Sequence, residues 1–293
     1  MVLFFRRMPR FDYLRPGSLD EAFEGLDPDV PVKHQVYAGG TDLLLKLKSR
    51  EVKAPKCLID LKGISDLNYL SWDPEEGLRI SALVTSREVA DSPIVTEKFV
   101  ALAQGTRQMG SNQLQNRGTI AGNICNAVPS ADSAPPLLVH DAKVICVGRD
   151  GERTVELADF FRGPGETALQ AGELVREIRV PPPESRERSA YLRLASRGRM
   201  DLAMVGVAVS GVVEGGVIHR IRIGLGSAAP VPVRAPEAEA MLLGQKLTAE
   251  VIENAARIAA RASRTRSSHR ASAEYRRMMI EVLVRRALAK LAA

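Results

Sequence analysis

The chain has 293 residues, of which 45% are hydrophobic and 4% aromatic, and a net charge of +6. This length can bury a substantial core and predicts two domains, or one domain with subdomains. No apolar run approaches the roughly 20 residues that span a bilayer, and the N-terminus lacks the pattern of a secretory signal, so we expect a cytoplasmic protein without a membrane span.

The cysteines and histidines do not form the usual disulfide or metal patterns. Cys57, Cys125 and Cys146 contain no C-x-x-C pair, and the four histidines contain no H-x-x-x-H pair. We therefore expect no disulfide scaffold and no metal held by this chain. The pI of about 9.4 suits an anionic cofactor, an acidic partner or nucleic acid. No stretch interleaves basic and aromatic residues as a stacking groove requires, so we expect no nucleic-acid partner.

The first third of the sequence predicts short strands and helices. Residues 11–27 predict an extended segment and then a helix, with Ser18 as N-cap and Glu21 at the capping-box position. A strand is predicted over residues 32–37, a turn at Gly39-Gly40 and a helix from Leu43. Further short strands are predicted over residues 56–61 and 78–85, and a helix over residues 87–104.

The middle of the chain predicts a long loop and then a strand. Residues 109–140 are rich in Gly, Asn, Ser and Pro, and loops this long within a domain are usually functional or disordered. The sequence AKVICVG at residues 142–148 predicts a strand. Pro181-Pro182-Pro183 and the charged residues after them are the best linker candidate.

The last third of the sequence predicts a hairpin and three helices. The strands are predicted over residues 203–213 and 217–225, and the helices over residues 236–244, 248–262 and about 271–291. Strands mixed with helices without βαβ alternation predict an α+β fold. The last helix is predicted to bury one face. This face comprises Tyr275, Met279, Val282, Leu283 and Ala287.

Two segments have the composition of ligand-binding loops. In the sequence YAGGTDLL, the glycines at 39 and 40 end a strand before a helix, where free N–H groups suit a pyrophosphate, although most such turns bind nothing. It is not the G-x-G-x-x-G motif. In residues 113–132, small polar side chains and Asp132 could bind a hydroxyl-rich ligand. From the residues alone, turns held by the asparagines and a helix capped by Asp132 are the favoured interpretation.

These segments resemble a known family. GTIAGNICNAVPSADSAPPLL is similar to the flavin-binding loop of the FAD subunits of molybdenum hydroxylases, such as xanthine and aerobic carbon monoxide dehydrogenases. VYAGGTDLLLKLK is similar to their first FAD loop, and FDYLRPGSLDEAF to their opening segment. GELVREIRVPPP, YLRLASRGRMDLAMVGVAV, SAAPVPVRAPEAEAMLLG and SAEYRRMMIEVLVRRAL resemble the remainder. The resemblance covers essentially the whole chain, and the motifs occur in the same order as in the family.

The resemblance implies an α+β fold with two domains. A two-subdomain FAD-binding domain of the vanillyl-alcohol-oxidase (PCMH) type is expected over residues 1–178, with subdomains at about 1–56 and 57–178. A C-terminal α+β domain, with a small antiparallel sheet and helices, is expected over residues 186–293.

The resemblance also implies a set of cofactor-binding residues, and no catalytic side chain or metal ligand. The set comprises Ala38, Gly39, Gly40, Thr41, Asp42, Leu43, Thr119, Gly122, Asn123, Asp132, Val175 and Arg193.

Three residues in this region depart from the family pattern. Arg193 stands where many members carry lysine, and arginine keeps the charge without the geometry. Gln115 replaces a common arginine, and Ala121 replaces a common glycine, which requires a negative φ there. One branch of the family inserts a cysteine-bearing segment for an iron–sulfur cluster, and its absence here makes Cys125 and Cys146 core or lining thiols.

The implied function is an electron relay through FAD within a heteromeric complex. A molybdopterin-binding large subunit would oxidise the substrate, and a small subunit with two-iron two-sulfur clusters would pass electrons to the flavin. The flavin would deliver them to NAD or another acceptor. Two alternatives are a stand-alone FAD-dependent oxidase, for which no base is evident, and nucleic-acid binding by the arginine-rich residues 257–270, for which a subunit surface is favoured.

Overall fold

The first elements of the chain form a small parallel sheet. The computed structural model describes residues 7–26, 34–198 and 200–292. β1 and β2 both pair with β3 in parallel, in the order β1-β3-β2. Their bounds, with the two helices between them, are β1 Asp12–Leu14, α1 Leu19–Gly25, β2 His34–Tyr37, α2 Leu43–Ser49 and β3 Cys57–Asp60.

The predicted start of α1 is confirmed in part. The hydroxyl oxygen of Ser18 accepts a hydrogen bond from the N–H of Glu21 at 3.2 Å, as expected of an N-cap. The carboxylate of Glu21 accepts from the N–H of Gly17 at 2.7 Å instead of closing a capping box on Ser18. Of the predicted elements, residue 27 and residues 32 and 33 lie outside the described part of the chain.

A five-stranded antiparallel sheet follows, in the order β4-β5-β10-β6-β7. The sequence did not predict the edge strands β4 and β7. Both alternate half-buried with exposed residues, so they lack the apolar run that identified their neighbours. The strands are β4 Leu70–Asp73, β5 Gly77–Ser81, β6 Lys143–Gly148, β7 Gly151–Glu156 and β10 Leu174–Val180, with β8 Phe161–Gly163 and β9 Glu166–Thr167 as a separate hairpin.

Short helices occupy most of the chain between β5 and β6. Where one helix was predicted over residues 87–104, the structure has three shorter helices. The second begins at Pro93, because proline favours the first position of a helix. The predicted loop also contains helices, two of which are capped by the hydroxyls of Ser111 and Thr119. The helices are α3 Ser86–Asp91, α4 Pro93–Lys98, α5 Val100–Arg107, α6 Asn112–Gln115, α7 Ile120–Cys125 and α8 Ala134–Val139, and α9 Leu157–Phe160 follows β7.

The last third of the chain is a four-stranded antiparallel sheet covered by helices, in the order β11-β12-β13-β14. The predicted hairpin is confirmed, with Glu214 paired to Val217. The elements are β11 Arg188–Leu194, β12 Val205–Glu214, β13 Val217–Gly226, β14 Val233–Arg234, α10 Pro236–Leu242, α11 Ala249–Ala262 and α12 Ala273–Ala292.

The predicted buried face of α12 was wrong at its start. Tyr275 is 40% exposed, and the buried position there belongs to Arg276, whose guanidinium donates to the carbonyl oxygen of Met204. Because this hydrogen bond turns Arg276 inward, Tyr275 points to solvent. Farther along the helix Leu283 and Ala287 are buried as predicted.

The α+β architecture is confirmed, and the buried side chains form two main clusters. One contains residues from Ala22 to Val180 and joins the first two sheets, whereas the other contains residues from Ala190 to Leu291. The predicted domain limits stay predictions. Within the first domain, β3 pairs with both β1 and β2. Among the described residues, none of the helices has the length and hydropathy of a membrane span.

α8 joins the two halves of the molecule because it packs on the sheet of the C-terminal half. A Cβ added at Gly224 of β13 would lie 2.6 Å from the carbonyl oxygen of Pro135 and 3.1 Å from a methyl group of Val139. A Cβ at Gly226 would lie 3.0 Å from the ring of Pro135. The absence of a side chain at Gly224 and Gly226 therefore allows the helix backbone to approach the sheet closely.

We predict that Gly224→Ala destabilises the protein by about 1–3 kcal/mol, because an added methyl group overpacks this contact. The measurement is the free energy of unfolding in urea. Gly148→Ala in β6 is the matched control, since its Cβ would meet only ordinary contacts at 3.5 Å and beyond. Equal unfolding free energies for the two variants would contradict the close contact.

A cluster of charged groups lies at the C-terminal end of α8. Nδ1 of His140 is 3.2 Å from Oε1 of Glu187, and Nη1 of Arg220 is 3.1 Å from Oε2 of the same carboxylate. Asp141 lies 2.8 Å from Arg220, and it also pairs with arginines 222 and 234 of β13 and β14. Burial alone would raise the pKa of Glu187, but hydrogen bonds from His140 and Ser210 and the charge of Arg220 outweigh it and lower the pKa to about 2.

We predict that this cluster makes stability depend on acid pH. A carboxylate with a lowered folded-state pKa stabilises the fold above its unfolded-state pKa of 4.5, and the contribution, roughly 3 kcal/mol, is lost as pH falls from about 4.5 to about 2. Glu187→Gln should be less stable than wild type near neutral pH, and the difference should shrink by roughly 1 kcal/mol by about pH 3.5. Urea unfolding of both proteins across this range is the test. A difference that does not change with pH would rule out the titration of Glu187 as its source.

Candidate functional site

A cleft of about 1010 Å³ lies between the first sheet and the short helices. Its walls come from the chain after β2, from the α6–α7 segment through Asp132, from residues 165–175 and from residues 200–202. All the predicted site residues except Arg193 line it. The fold therefore brings together two sequence segments that are about eighty residues apart.

The first wall is the turn that follows β2. Gly40 has φ of +74°, and a Cβ there would also overlap the ring of Tyr37, so the turn requires glycine. The backbone N–H groups from Gly39 to Leu43 have no acceptor among the described residues. Free N–H groups that line a cleft are suited to binding an anionic ligand.

A lysine holds this turn from behind. Nζ of Lys62 donates to the carbonyl oxygen of Ala38 at 2.8 Å and to Oδ1 of Asp60 at 2.6 Å, and lies 3.6 Å from the centre of the Tyr37 ring. The hydroxyl of Tyr13 donates to the other carboxylate oxygen of Asp60. By fixing the carbonyl of Ala38, Lys62 fixes the peptide plane from which the N–H of Gly39 projects.

This cluster was not predicted from the sequence, although the sequence contains a signal for it. Asp60 ends β3 and Lys62 follows it, and β3 is the central strand beside β2. Residues that follow adjacent parallel strands meet at the same edge of a sheet, which is where ligands bind in such sheets. The sequence did not reveal this because the parallel pairing of β2 with β3 was not predicted.

The second wall is the segment before α7, and it touches the first. A Cβ at Gly39 would overlap the carbonyl oxygen of Arg117, and a Cβ at Gly118 would lie 3.3 Å from Oγ1 of Thr41. The carbonyl oxygen of Gly118 accepts from the N–H of Ser86 at 2.9 Å, which anchors the segment to α3. Glycine at 39 and 118 therefore allows the two segments to lie in direct contact.

Polar side chains hold α7 in place beside the cleft. Oγ1 of Thr119 accepts from the N–H of Gly122 at 3.0 Å and caps the helix, and Oδ1 of Asn123 accepts from the hydroxyl of Ser133 at 2.7 Å. Lys46 of α2 donates to Oδ1 of Asn126 at 2.6 Å. This last bond crosses from one wall to the other and ties the first turn to α7.

The interpretation of Asp132 as a helix cap was wrong. The N-cap of α8 is Ser133, without a side-chain hydrogen bond, whereas Asp132 accepts from the Tyr191 hydroxyl at 2.7 Å and from Nη1 of Arg193 at 2.6 Å. Burial raises the pKa of Asp132 to about 6, against the opposing charge of Arg193. Asp132 faces the cleft while β11 of the C-terminal half holds it from behind.

The three departures from the family pattern have structural explanations. Arg193 lies behind Asp132, where it also donates to the carbonyl oxygens of Gln108 and Asp201 at 3.2 and 3.0 Å. Gln115 is buried and donates to the carbonyl oxygens of Arg107 and Met109, both at 3.0 Å, which closes the turn between α5 and α6. Ala121 lies within α7 and therefore has the negative φ that alanine requires.

The far wall of the cleft contains Val175 and a thiol. Val175 pairs with Cys146 across β10 and β6, and Cys125 lines the cleft. Burial raises the pKa of Cys125 to about 12 and that of Cys146 to about 11, so both thiols stay protonated at neutral pH. Within the described ranges, no three potential ligands from His, Cys, Asp and Glu are grouped to hold a metal.

Comparison with known proteins identifies the family. Residues 9–183 match the FAD binding domain in molybdopterin dehydrogenase, and residues 190–291 match the CO dehydrogenase flavoprotein C-terminal domain. The glyceraldehyde dehydrogenase medium chain of Sulfolobus acidocaldarius is 33% identical over 97% of this chain and 99% of its own. The xanthine dehydrogenase FAD-binding subunit of Escherichia coli O157:H7 is 29% identical, covering 95% and 94%.

A solved structure agrees with these sequence matches. The chain superimposes on one chain of a carbon monoxide dehydrogenase from Hydrogenophaga pseudoflava, which lacks the Mo-pyranopterin moiety of its cofactor, with a TM-score of 0.92. The two chains are 33% identical, and the match covers 97% of each. The fold of the FAD domain and of the C-terminal domain is therefore that of this family, as the sequence predicted. The free N–H groups and the close contact between the two glycine-containing segments suit the diphosphate of FAD. This chain belongs to the molybdenum hydroxylase family as an FAD-binding oxidoreductase subunit.

Proposed function

We propose that this chain is the electron-transfer subunit of a molybdopterin-dependent hydroxylase or dehydrogenase. A molybdopterin-binding large subunit oxidises the substrate, and a small subunit with two-iron two-sulfur clusters passes the electrons to this chain. FAD supplies the redox chemistry, and the final acceptor is NAD or another oxidant. The names of the relatives support a heteromeric assembly, since one is a medium chain and the other an FAD-binding subunit.

The observation that carries this proposal is the contact between the two glycine-containing segments across one cleft. The turn from Ala38 to Leu43 has free N–H groups that would hold the pyrophosphate, and the backbone of Arg117 and Gly118, just before Thr119, lies in direct contact with that turn. The proposed FAD-binding residues that line the cleft are Ala38, Gly39, Gly40, Thr41, Asp42, Leu43, Thr119, Gly122, Asn123, Asp132 and Val175.

Side chains of this chain orient and enclose the cofactor, and none is proposed as an acid, base or nucleophile. Asp132 accepts hydrogen bonds from Tyr191 and Arg193, which fix its carboxylate at the cleft wall. In this proposal Arg193 is a positioning residue that acts through Asp132 and does not itself contact the flavin. Its further bond to the carbonyl of Asp201 holds residues 200–202 at the cleft wall.

If the chain is an electron-transfer subunit, substrate should reduce its flavin only when the partner subunits are present. The FAD-loaded chain alone should keep its flavin absorbance when offered xanthine, glyceraldehyde or carbon monoxide without oxygen, whereas the complex should bleach with one substrate of this chemical range. Anaerobic absorbance spectroscopy checks this. Rapid bleaching of the isolated chain by any of them would instead identify a stand-alone oxidase.

A second prediction concerns Lys62. Lys62→Met removes the charged donor to the carbonyl of Ala38, so the first turn loses its support and FAD should bind roughly 10–100-fold more weakly. FAD affinity is measured by titration well below the unfolding temperature. Lys56→Met is the control, because Lys56 is exposed and does not line the cleft. Unchanged affinity in Lys62→Met would show that Lys62 does not position the turn.

A further inference from the structure

The net charge of the chain is concentrated in one short segment. Residues 257–277 contain seven arginines and one acid, Glu274, so their formal charge of +6 equals that of the whole chain. The remaining residues are neutral in sum. The segment runs from the last turns of α11, through the connection, to the first turn of α12.

These arginines are not neutralised within the described part of the chain. None of the seven forms an ion pair with a carboxylate there, whereas Arg285, two turns farther along α12, pairs with Glu253 at 3.0 Å. Arg276 is 5% exposed, and its Nε has no hydrogen-bond partner among the described residues. Burial, and then the charges of Arg270 and Arg266, lower the pKa of Arg276.

The exposed part of this segment also has the composition of a protein interface. Arg257 and Arg261 of α11 face Arg277 and Met278 of α12 across a groove of about 330 Å³. Met278 is 56% exposed, and Tyr275 on the same turn of α12 is also exposed. Arginine, tyrosine and methionine are enriched in protein–protein interfaces, and arginine and tyrosine are frequent among the residues that dominate binding energy.

We infer that this surface, which we call the arginine face, docks a carboxylate-rich surface of a partner subunit. It comprises Arg257, Arg261, Arg264, Arg266, Arg270 and Arg277, with Tyr275 and Met278. Carboxylates of the partner relieve the repulsion among the guanidinium groups, and bidentate pairs with arginine fix the orientation of the partner. The inference rests on the proposed function, because that function requires partner subunits.

Two other occupants fit the surface less well. A second copy of this chain would bring two segments of charge +6 together. Nucleic acid would place phosphates beside Glu274 and Glu281, which line the same groove, and would find a single aromatic side chain, Tyr275, within the segment for base stacking. An acidic protein surface can pair with the arginines and also offer donors to the two glutamates.

The test is charge reversal in the full chain, co-expressed with the molybdenum-bearing and iron–sulfur subunits of its complex. Arg261→Glu, Arg266→Glu and Arg277→Glu are combined, since all three are exposed and no hydrogen bond of their side chains is seen among the described residues. The control combines Arg162→Glu, Arg188→Glu and Lys246→Glu, three exposed basic residues elsewhere, for the same change in charge. Association is measured by sedimentation at several salt concentrations, with flavin content and unfolding temperature in parallel.

We expect association to weaken at least about tenfold in the arginine-face variant and to stay at the wild-type level in the control, with flavin content unchanged in both. Wild-type association should also weaken as salt rises. Wild-type affinity in the arginine-face variant, equal loss in both variants, or no association of the wild-type chain would overturn the inference. Tighter binding of a labelled DNA duplex than of the partners would assign the surface to nucleic acid. Flavin content reports separately on the proposed function.

Discussion

The direct contact between Gly39 and the backbone of Arg117 is the constraint on which the site depends. The carbonyl oxygen of Arg117 occupies the space that a side chain at residue 39 would fill. The first turn can therefore present its N–H groups to the same cleft that α7 borders. Lys46 and Asn126 join the two walls a second time at 2.6 Å, so the distance between them is set by the protein before any ligand binds.

Much of the site could be predicted from the sequence, because the family motifs lie on the segments that form the cleft. The turn at Gly39-Gly40 and the residues around Gly122 and Asp132 all line it. Composition and periodicity alone did not identify these residues as a site. From the residues alone Asp132 was best explained as a helix cap, and only its distant partners, Tyr191 and Arg193, show otherwise. Contacts between residues about sixty positions apart leave no local pattern in a sequence.

The same limit explains the errors in the fold. The edge strands β4 and β7 have no apolar run, since one side of each faces solvent. The start of α12 was assigned to the wrong face because Arg276 occupies a position where an apolar residue is the usual choice. Its hydrogen bond to the carbonyl of Met204 comes from another element and overrides the helical periodicity.

α8 extends the site into the C-terminal half of the molecule. Its N-terminal end carries Asp132 into contact with β11, and its C-terminal end carries His140 and Asp141 into the charged cluster with Glu187 and Arg220. The helix between them rests on the glycines of β13. One wall of the cleft is thus built by both halves. An exchange of halves between relatives at the proline-rich linker would therefore part Asp132 from the Tyr191 and Arg193 with which it is paired here.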